Sequence, residues 1–388
     1  MPLPSETDVL IVGAGPSGLA LAVCLARHGT NFVLVDRLTA PQANSRAAAV
    51  HARTLEVLEP LGVTDALVKA GRQIGAVCMH DRDALLLRIE FAALRSRYPY
   101  ILVLPQNETE AILTDHLASL GGTVERGQEA LALVQDGVHA TAALRDATGA
   151  AASIKARYVV GADGYHSLVR QACGIGFAPG TYAESFILAD VHMDFPLGAE
   201  EMRLFLASDG MMLVAPFTGS RFRIIATCEA AREHPDANDV QAILDNRGAR
   251  TAPARVQDVI WSSRFRIHHG VAAQYRAGCA LLAGDAAHVH SPAGGQGMNI
   301  GIQDAVALGE RLAAVIGGHQ PDSYLQRYEV ERRPVAQRVV ALTDRMTRMG
   351  TLTSPAGQLV RNLGLRAVGY LPPMRRMMAT RMAELDSR

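Results

Sequence analysis

The chain lacks the features that would send it to a nucleic acid, a membrane or an oxidising compartment. Its 38 basic side chains are balanced by 38 acidic ones, so no global field gathers a polyanion. Its five cysteines (Cys24, Cys78, Cys173, Cys228 and Cys279) are scattered with no C-x-x-C spacing. That argues against a disulfide framework or a zinc site and suggests a reducing compartment, hence a cytoplasmic protein. The longest apolar run, residues 9–26, is broken by Gly13, Gly15, Pro16, Ser17 and Gly18. It is not a membrane span, and no basic segment precedes it as a secretory signal requires. There is no internal repeat and no low-complexity linker. What is present is a globular composition, 49% apolar and 20% charged, in 388 residues, long enough for two domains.

The N-terminal residues predict a βαβ unit. Residues 8–12 read as a short strand, GAGPSG (13–18) turns into a helix over 19–28, and Gly29 stops it. A second strand over 32–35 ends at Asp36, followed by Arg37. Asp36 stands eighteen residues after Gly18, near the place expected for an acid that binds a ribose hydroxyl. Gly13, Gly15, Pro16, Ser17 and Gly18 are therefore cofactor candidates, and either FAD or NAD suits this unit alone.

Further along, Arg46 in the loop 39–49 is either a guanidinium clamp on a pyrophosphate or a solvated loop arginine. A helix is predicted over 52–59 and another over 108–120. Asn107 with Glu110 resembles a capping box, and Gln106 just before it either meets a cofactor or is loop. A buried-type strand over 158–162 delivers Asp163 and Gly164 to its carboxyl end, as a turn or as part of a ligand site.

From 183 to 268 the pattern shifts to short β runs at 186–192, 202–206, 211–215 and 222–228, with Asp209-Gly210 as a hairpin signal. This predicts an antiparallel sheet inserted between halves of the nucleotide-binding region, with strands from 74–103 joining it. Arg203, Arg221 and Arg223 are expected on its solvent side. The stretch 322–348 predicts a helix begun by Pro321. The end, 374–388, mixes arginines with four methionines. It reads as core packing or a dimer contact, with a basic amphipathic membrane or partner helix as the other possibility.

The most informative stretch is GDAAHVHSPAGGQGMNIGIQD, residues 284–304. A strand over 279–283 delivers Gly284 and Asp285, glycines follow at 294, 295 and 297, and a helix is predicted over 299–315. Glycines let the backbone press against a flat ligand. A helix N-terminus offers free N–H groups and partial positive charge, which suits the anionic pyrimidine side of a reduced flavin. Asp285 is placed to accept hydrogen bonds from ribityl hydroxyls.

These blocks, GAGPSG with Asp36, GADGYHSLVR (161–170) and GDAAHVHSPAGGQGMNIGIQDA (284–305), carry a resemblance to the single-component, class A FAD-dependent aromatic hydroxylases, a family that includes p-hydroxybenzoate hydroxylase and polyketide hydroxylases. SRAAAVHARTLEVLEPLG (45–62), Gln106 and SYLQRYEVERRP (323–334) agree. The likeness is to the short form, without a thioredoxin-like C-terminal domain. It implies an α/β fold: a Rossmann-like FAD-binding domain with a parallel sheet, an inserted antiparallel substrate domain, and C-terminal helices. The expected divisions are FAD-binding at 1–73, 105–180 and 271–320, substrate strands at 74–104 and 181–270, and a helical segment at 321–388.

The likeness assigns the FAD pyrophosphate to Gly13, Gly15, Gly18 and Arg46, the ribose to Asp36, and the flavin side to Gln106. Asp163 and Gly164 would support both FAD and the nicotinamide donor, NADPH or NADH, for which no separate Rossmann unit is evident. Gly284, Asp285, Gly297, Met298 and Asn299 would hold the ribityl and flavin region. Pro292, Gly294 and Gly295 would supply the backbone environment of the reacting ring. His288 and His290 invite a metal reading but belong with the flavin loop, since no third ligand is evident.

The expected activity is hydroxylation of a phenolic or polyketide-like ring through a C4a-hydroperoxide, using NAD(P)H and O2, with the protein excluding water and holding the ring. No base is identified; Tyr98, Tyr100 and His80 are read as structural. The nearest alternative is epoxidation or Baeyer–Villiger oxygenation of a polycyclic substrate. A flavin dehydrogenase is a further one, and a non-catalytic flavin- or ligand-binding protein is the alternative of another class. A halogenase is disfavoured because Trp261 is the only tryptophan. The expected state is a monomer or homodimer.

Overall fold

The computed structural model describes residues 3–43, 47–228 and 232–387. Its backbone is organised by three sheets. In the first, Glu6–Val12 lies parallel to Phe32–Asp36 on one side and Ala151–Gly161 on the other, and Ala280–Leu282 continues the parallel order. A hairpin of Gln128–Gln135 and Ala140–Asp146 extends the long strand antiparallel. Val9, Leu10 and Ile11 are fully buried, as the continuous apolar run of a strand covered on both faces requires. The helices Pro16–Arg27 and Gly297–Ile316 pack together beside this sheet, and a Cβ on Gly309 would stand only 2.8 Å from Cys24 Sγ. Gly29, at φ +67°, ends the first helix as expected.

The second sheet has eight strands and is antiparallel but for one pair. Its order is His288–Val289, Arg255–Val271, Gly180–Asp194, Arg221–Cys228, Gly210–Pro216, Met202–Ala207, Ala76–Asp81 and Ala84–Glu90. Met202–Ala207 and Ala76–Asp81 pair in parallel. The Asp209-Gly210 turn closes the expected hairpin, with Ala207 opposite Gly210. Of the strands expected from 74–103, two join this sheet. Ile101–Val103 instead pairs with Ala49–Val50 and Arg72–Ile74 in a separate three-stranded sheet.

Three local expectations need correction. The helix after Pro105 begins at Gln106 with Pro105 as its N-cap, so Asn107 lies inside its first turn and is not the cap residue. Glu110 accepts instead from Gln106 Nε2 at 2.8 Å. The antiparallel region contains a helix, Ala237–Arg247, opened by a capping box in which Asp236 accepts from the Asp239 amide and Asp239 returns the bond. Arg223 does not face solvent: it is 1% exposed, under Phe217, with Asp190 Oδ1 at 2.7 Å and Oδ2 at 2.9 Å. A buried guanidinium survives there because the carboxylate meets its fork in both places. The methionine-rich end, Pro372–Met382, packs Met378, Ala379 and Met382 against a core cluster with Leu87, Ile89 and Met202, in keeping with the core-packing reading, while Met374 and Met377 stay exposed. Among the described residues no helix is long and apolar enough to cross a membrane.

Candidate active site

The carboxyl ends of the parallel strands open into one cavity of about 1760 Å³ that runs across to the antiparallel sheet. This exceeds the roughly 300–1,000 Å³ of a single small-ligand pocket, so it has room for two ligands side by side. Its halves differ in lining. One half is glycines and acids from the parallel-sheet region: Gly13, Gly15, Asp36, Glu110, Asp163 and Asp285. The other is aliphatic and sulfur-bearing, with Met79, Leu188, Leu204, Leu213 and Ile225 from the eight-stranded sheet and Met346 and Met349 from the helix Gln326–Gly350.

The glycine turn is built by exclusion. Gly13 sits at φ +104°, and a Cβ there would fall 2.3 Å from the Ala162 carbonyl oxygen. A Cβ on Gly18 would fall 1.9 Å from the Gly13 carbonyl oxygen. Gly15 is different, because a Cβ there would meet nothing within 4 Å and would project into the cavity wall. Its small size therefore serves whatever lies in the cavity and not the protein's own packing. Asp36 Oδ2 accepts from the Ala14 amide at 2.7 Å and Oδ1 from the Leu38 amide at 2.8 Å, so this acid also shapes the turn. Pro16, Ser17 and Arg37 line the same wall. Ser17 Oγ also lies where Gly284 and Gly301 leave room for it.

Asp163 ends the long parallel strand beside Gly164. Its Oδ2 accepts from the Val169 amide, and burial pushes its carboxyl above the ordinary range. Asp163 Oδ1 is buried with no partner, an acceptor left for a ligand donor. Gln106 lines the wall while accepting weakly from the Ala47 amide. Arg46 lies outside the described residues.

The loop 290–297 forms the junction between the halves. Gly294 and Gly295 have φ of +84° and +66°, and the Gly295 amide donates to the Pro292 carbonyl. The helix Gly297–Ile316 then starts with no side-chain cap, and Gly297 and Met298 line the cavity. Its free first-turn N–H groups make an electropositive end aimed at the cavity. Asn299 stands behind the wall and does not line it. Its Oδ1 accepts from the His51 amide, and its Nδ2 donates to the Ala49 and Gly295 carbonyls. Gly18 and Gly284 likewise stand back from the lining.

Two histidines stand at this junction, His290, which the sequence placed with the loop, and His51, which it did not single out. His51 Nε2 meets the Gly294 carbonyl at 2.9 Å, which leaves Nδ1 buried without a partner. His290 meets the Ser291 carbonyl through Nδ1 at 2.8 Å, and its Nε2 is also buried and unpartnered. Burial lowers both imidazoles to about 4, so both are neutral in the fold. His51 lies within the segment 45–62 that carries the resemblance, but no spacing singles it out, whereas the H-x-H spacing marked His290. His288 is committed elsewhere: its Nε2 meets Asp304 Oδ2 at 2.6 Å, and Asp304 Oδ1 accepts from Arg332 Nε at 2.5 Å. Burial raises the Asp304 carboxyl, and Arg332 and His288 outweigh that to hold it below the ordinary range. Tyr98, Tyr100 and His80 do not line the cavity.

The residues present fit FAD. A backbone cradle open at Gly15, an unpartnered Asp163 oxygen and an uncapped helix start suit a pyrophosphate, a hydroxylated chain and an anionic ring in that order.

The FAD binding domain family matches residues 6–343. The chain belongs to the FAD-dependent monooxygenase family. It is 36% identical over 388 residues to the 6-methylpretetramide 4-monooxygenase of Streptomyces rimosus, covering 98% of this chain and 69% of that one. Among solved structures it is similar to the OxyS anhydrotetracycline hydroxylase of Streptomyces rimosus, with a TM-score of 0.82 and 32% identity over 98% of this chain and 76% of that one. It is also similar to p-nitrophenol 4-monooxygenase PnpA of Pseudomonas putida DLL-E4, with a TM-score of 0.88 and 25% identity over 99% and 100% of the two chains.

Proposed function

We propose that this chain hydroxylates a hydrophobic aromatic compound, phenolic or polyketide-like, using FAD, O2 and NAD(P)H. The observation that carries the reading is the single cavity with two unlike halves meeting at an uncapped helix start. FAD, when bound, supplies the electron transfer and oxygen activation. The protein's own part is binding, orientation and exclusion. In this reading the glycine-lined half is the FAD-binding region and the eight-stranded sheet is the substrate region.

Gly13, Gly15, Pro16 and Ser17 would carry the pyrophosphate, with Asp36 and Arg37 at the adenosine end. Asp163 and Asp285 would accept hydroxyl donors, and Pro292, Gly294, Gly295 and Gly297 would border the ring. The helix start stabilises negative charge there without a titrating group. His51 and His290 supply neutral imidazoles, so that end of the cavity keeps its charge at ordinary pH. The apolar half excludes water and holds the ring of the substrate near the loop. All five cysteines are free, in keeping with a reducing compartment. The test is turnover of FAD-loaded protein with NAD(P)H, an aromatic acceptor and labelled O2. One labelled oxygen in a ring hydroxyl supports the reading. Consumption of NAD(P)H that yields only unlabelled or desaturated product refutes it.

A further inference from the structure

The buried charges of the apolar half are all of one sign. The acids lining the cavity come from the parallel-sheet region and the loop after it; among the described residues none comes from the eight-stranded sheet or the last three long helices. Two buried arginines line the apolar half, Arg223 at 1% and Arg361 at 7% exposure. Arg223 is neutralised in place by Asp190.

Arg361 has no carboxylate in contact. Its Nε donates to Asn362 Oδ1 at 3.0 Å, and its two terminal nitrogens donate to the Met349 and Leu206 carbonyls, each at 3.2 Å. Asp81 stands behind Asn362, accepting from its Nδ2 at 2.9 Å, and its charge reaches Arg361 through space without touching it. Three of its five N–H donors are thereby used, which leaves two for a ligand. A buried cation with no carboxylate in contact carries a desolvation cost. Carbonyl dipoles, including that of the last turn of the helix Gln326–Gly350, offset part of that cost. A ligand anion would offset the rest.

We propose that Arg361 is an anion subsite at the end of the substrate chamber, and that the aromatic substrate binds with a carboxylate, phenolate or enolate oxygen on this guanidinium. The proposal rests on reading the apolar half as the substrate chamber. It makes substrate selection electrostatic as well as steric: a neutral ring of the same size leaves the cation unpaired. It also gives an acidic ring hydroxyl a partner for its ionised form, in a chamber without a protein carboxylate.

The test uses a matched pair of probes, 2-naphthoate and 2-naphthamide, titrated calorimetrically into FAD-loaded full-length protein at pH 8. The expected result is binding of naphthoate about tenfold tighter than of naphthamide, the size of one charge-assisted contact. In Arg361→Gln that preference should fall to near unity while naphthamide binding is unchanged. A merely structural Arg361 predicts that both probes weaken together, which overturns the proposal. Wild-type protein that binds naphthoate no better than naphthamide, or binds neither, also overturns it. Because the readout is binding, the proposal can fail while labelled oxygen still enters a neutral aromatic product, and that outcome leaves the function standing.

Discussion

The two halves of the cavity are built by different means. The glycine-lined half is made of backbone: Gly13 and Gly18 are where they are because a Cβ would strike a carbonyl, and Gly15 because a Cβ would meet only open space at the cavity wall. The apolar half is made of side chains on a sheet, with its two buried arginines held by contacts from residues distant in sequence. A backbone site holds one ligand shape and tolerates little change, whereas a side-chain wall can change substrate while the fold stays. The helix Gly297–Ile316 and its neighbours join the two. Asn299 fastens the loop to 49–51, and Asp304 fastens it to His288 and Arg332.

That comparison can be broken at the joint. Asp304→Asn removes a fully buried charge between two partners and leaves Arg332 unpaired, which should cost about 3–5 kcal/mol of stability. Urea denaturation measures the loss, and FAD should leave the variant more readily than wild type. A loss below about 1 kcal/mol would mean that the loop is held elsewhere.

Acid should act on the junction next. The unfolded chain takes protons on His51 and His290 near 6.5, whereas burial holds them off in the fold until about 4. Between those values the unfolded state binds more protons, so stability falls as pH drops, by up to about 3 kcal/mol for each group. Glu384 acts in the opposite sense, because burial raises its carboxyl from 4.5 to about 8 and the folded chain holds that proton as pH rises. The expectation is therefore a difference: His51→Gln should show a shallower loss of stability than wild type between pH 6.5 and 4, read from denaturation midpoints. Parallel curves would place the acid sensitivity elsewhere.

The smallest effect sharpens the separation of the halves. Arg247 donates to the Met211 and Thr227 carbonyls and to Asp209 within the antiparallel sheet and its turn. Arg247→Met should cost about 2 kcal/mol of stability and leave FAD affinity unchanged. A fall in FAD affinity matching that of Asp304→Asn would show that the two halves are coupled throughout.

The glycine-lined half was legible because its determinants are local. A glycine spacing, an acid at a strand end and an apolar run each report a backbone conformation within a few residues. The strand–glycine–helix order around 13–18 and 284–297 thus predicted the turn, the helix stop at Gly29 and the loop with its helix. The other half was less legible because its determinants are contacts. Arg223 reads as a solvent-side arginine by strand alternation, and its burial is explained by contacts distant in sequence, with Asp190 on the neighbouring strand, the Ala47 carbonyl and the Phe217 ring. Ile101–Val103 has the composition of any short strand, and nothing local decides which sheet takes it. Arg361 and Asn362 meet Asp81 across 281 residues of sequence, counted from Asn362, beyond the reach of any motif. The Ala237–Arg247 helix is the exception, since its Asp236–Asp239 capping box is a local signal in the sequence.

The claim that a bare backbone cradle holds FAD is tested most directly by titrating FAD into apoprotein of wild type and Gly15→Val, following quenching of flavin fluorescence. A Cβ at Gly15 touches no protein atom within 4 Å. The variant should therefore keep the wild-type circular dichroism and melting curve while its FAD affinity falls by at least about a hundredfold, as expected when a side chain fills the space a ligand needs. A folded Gly15→Val protein that takes up FAD as tightly as wild type would contradict the account.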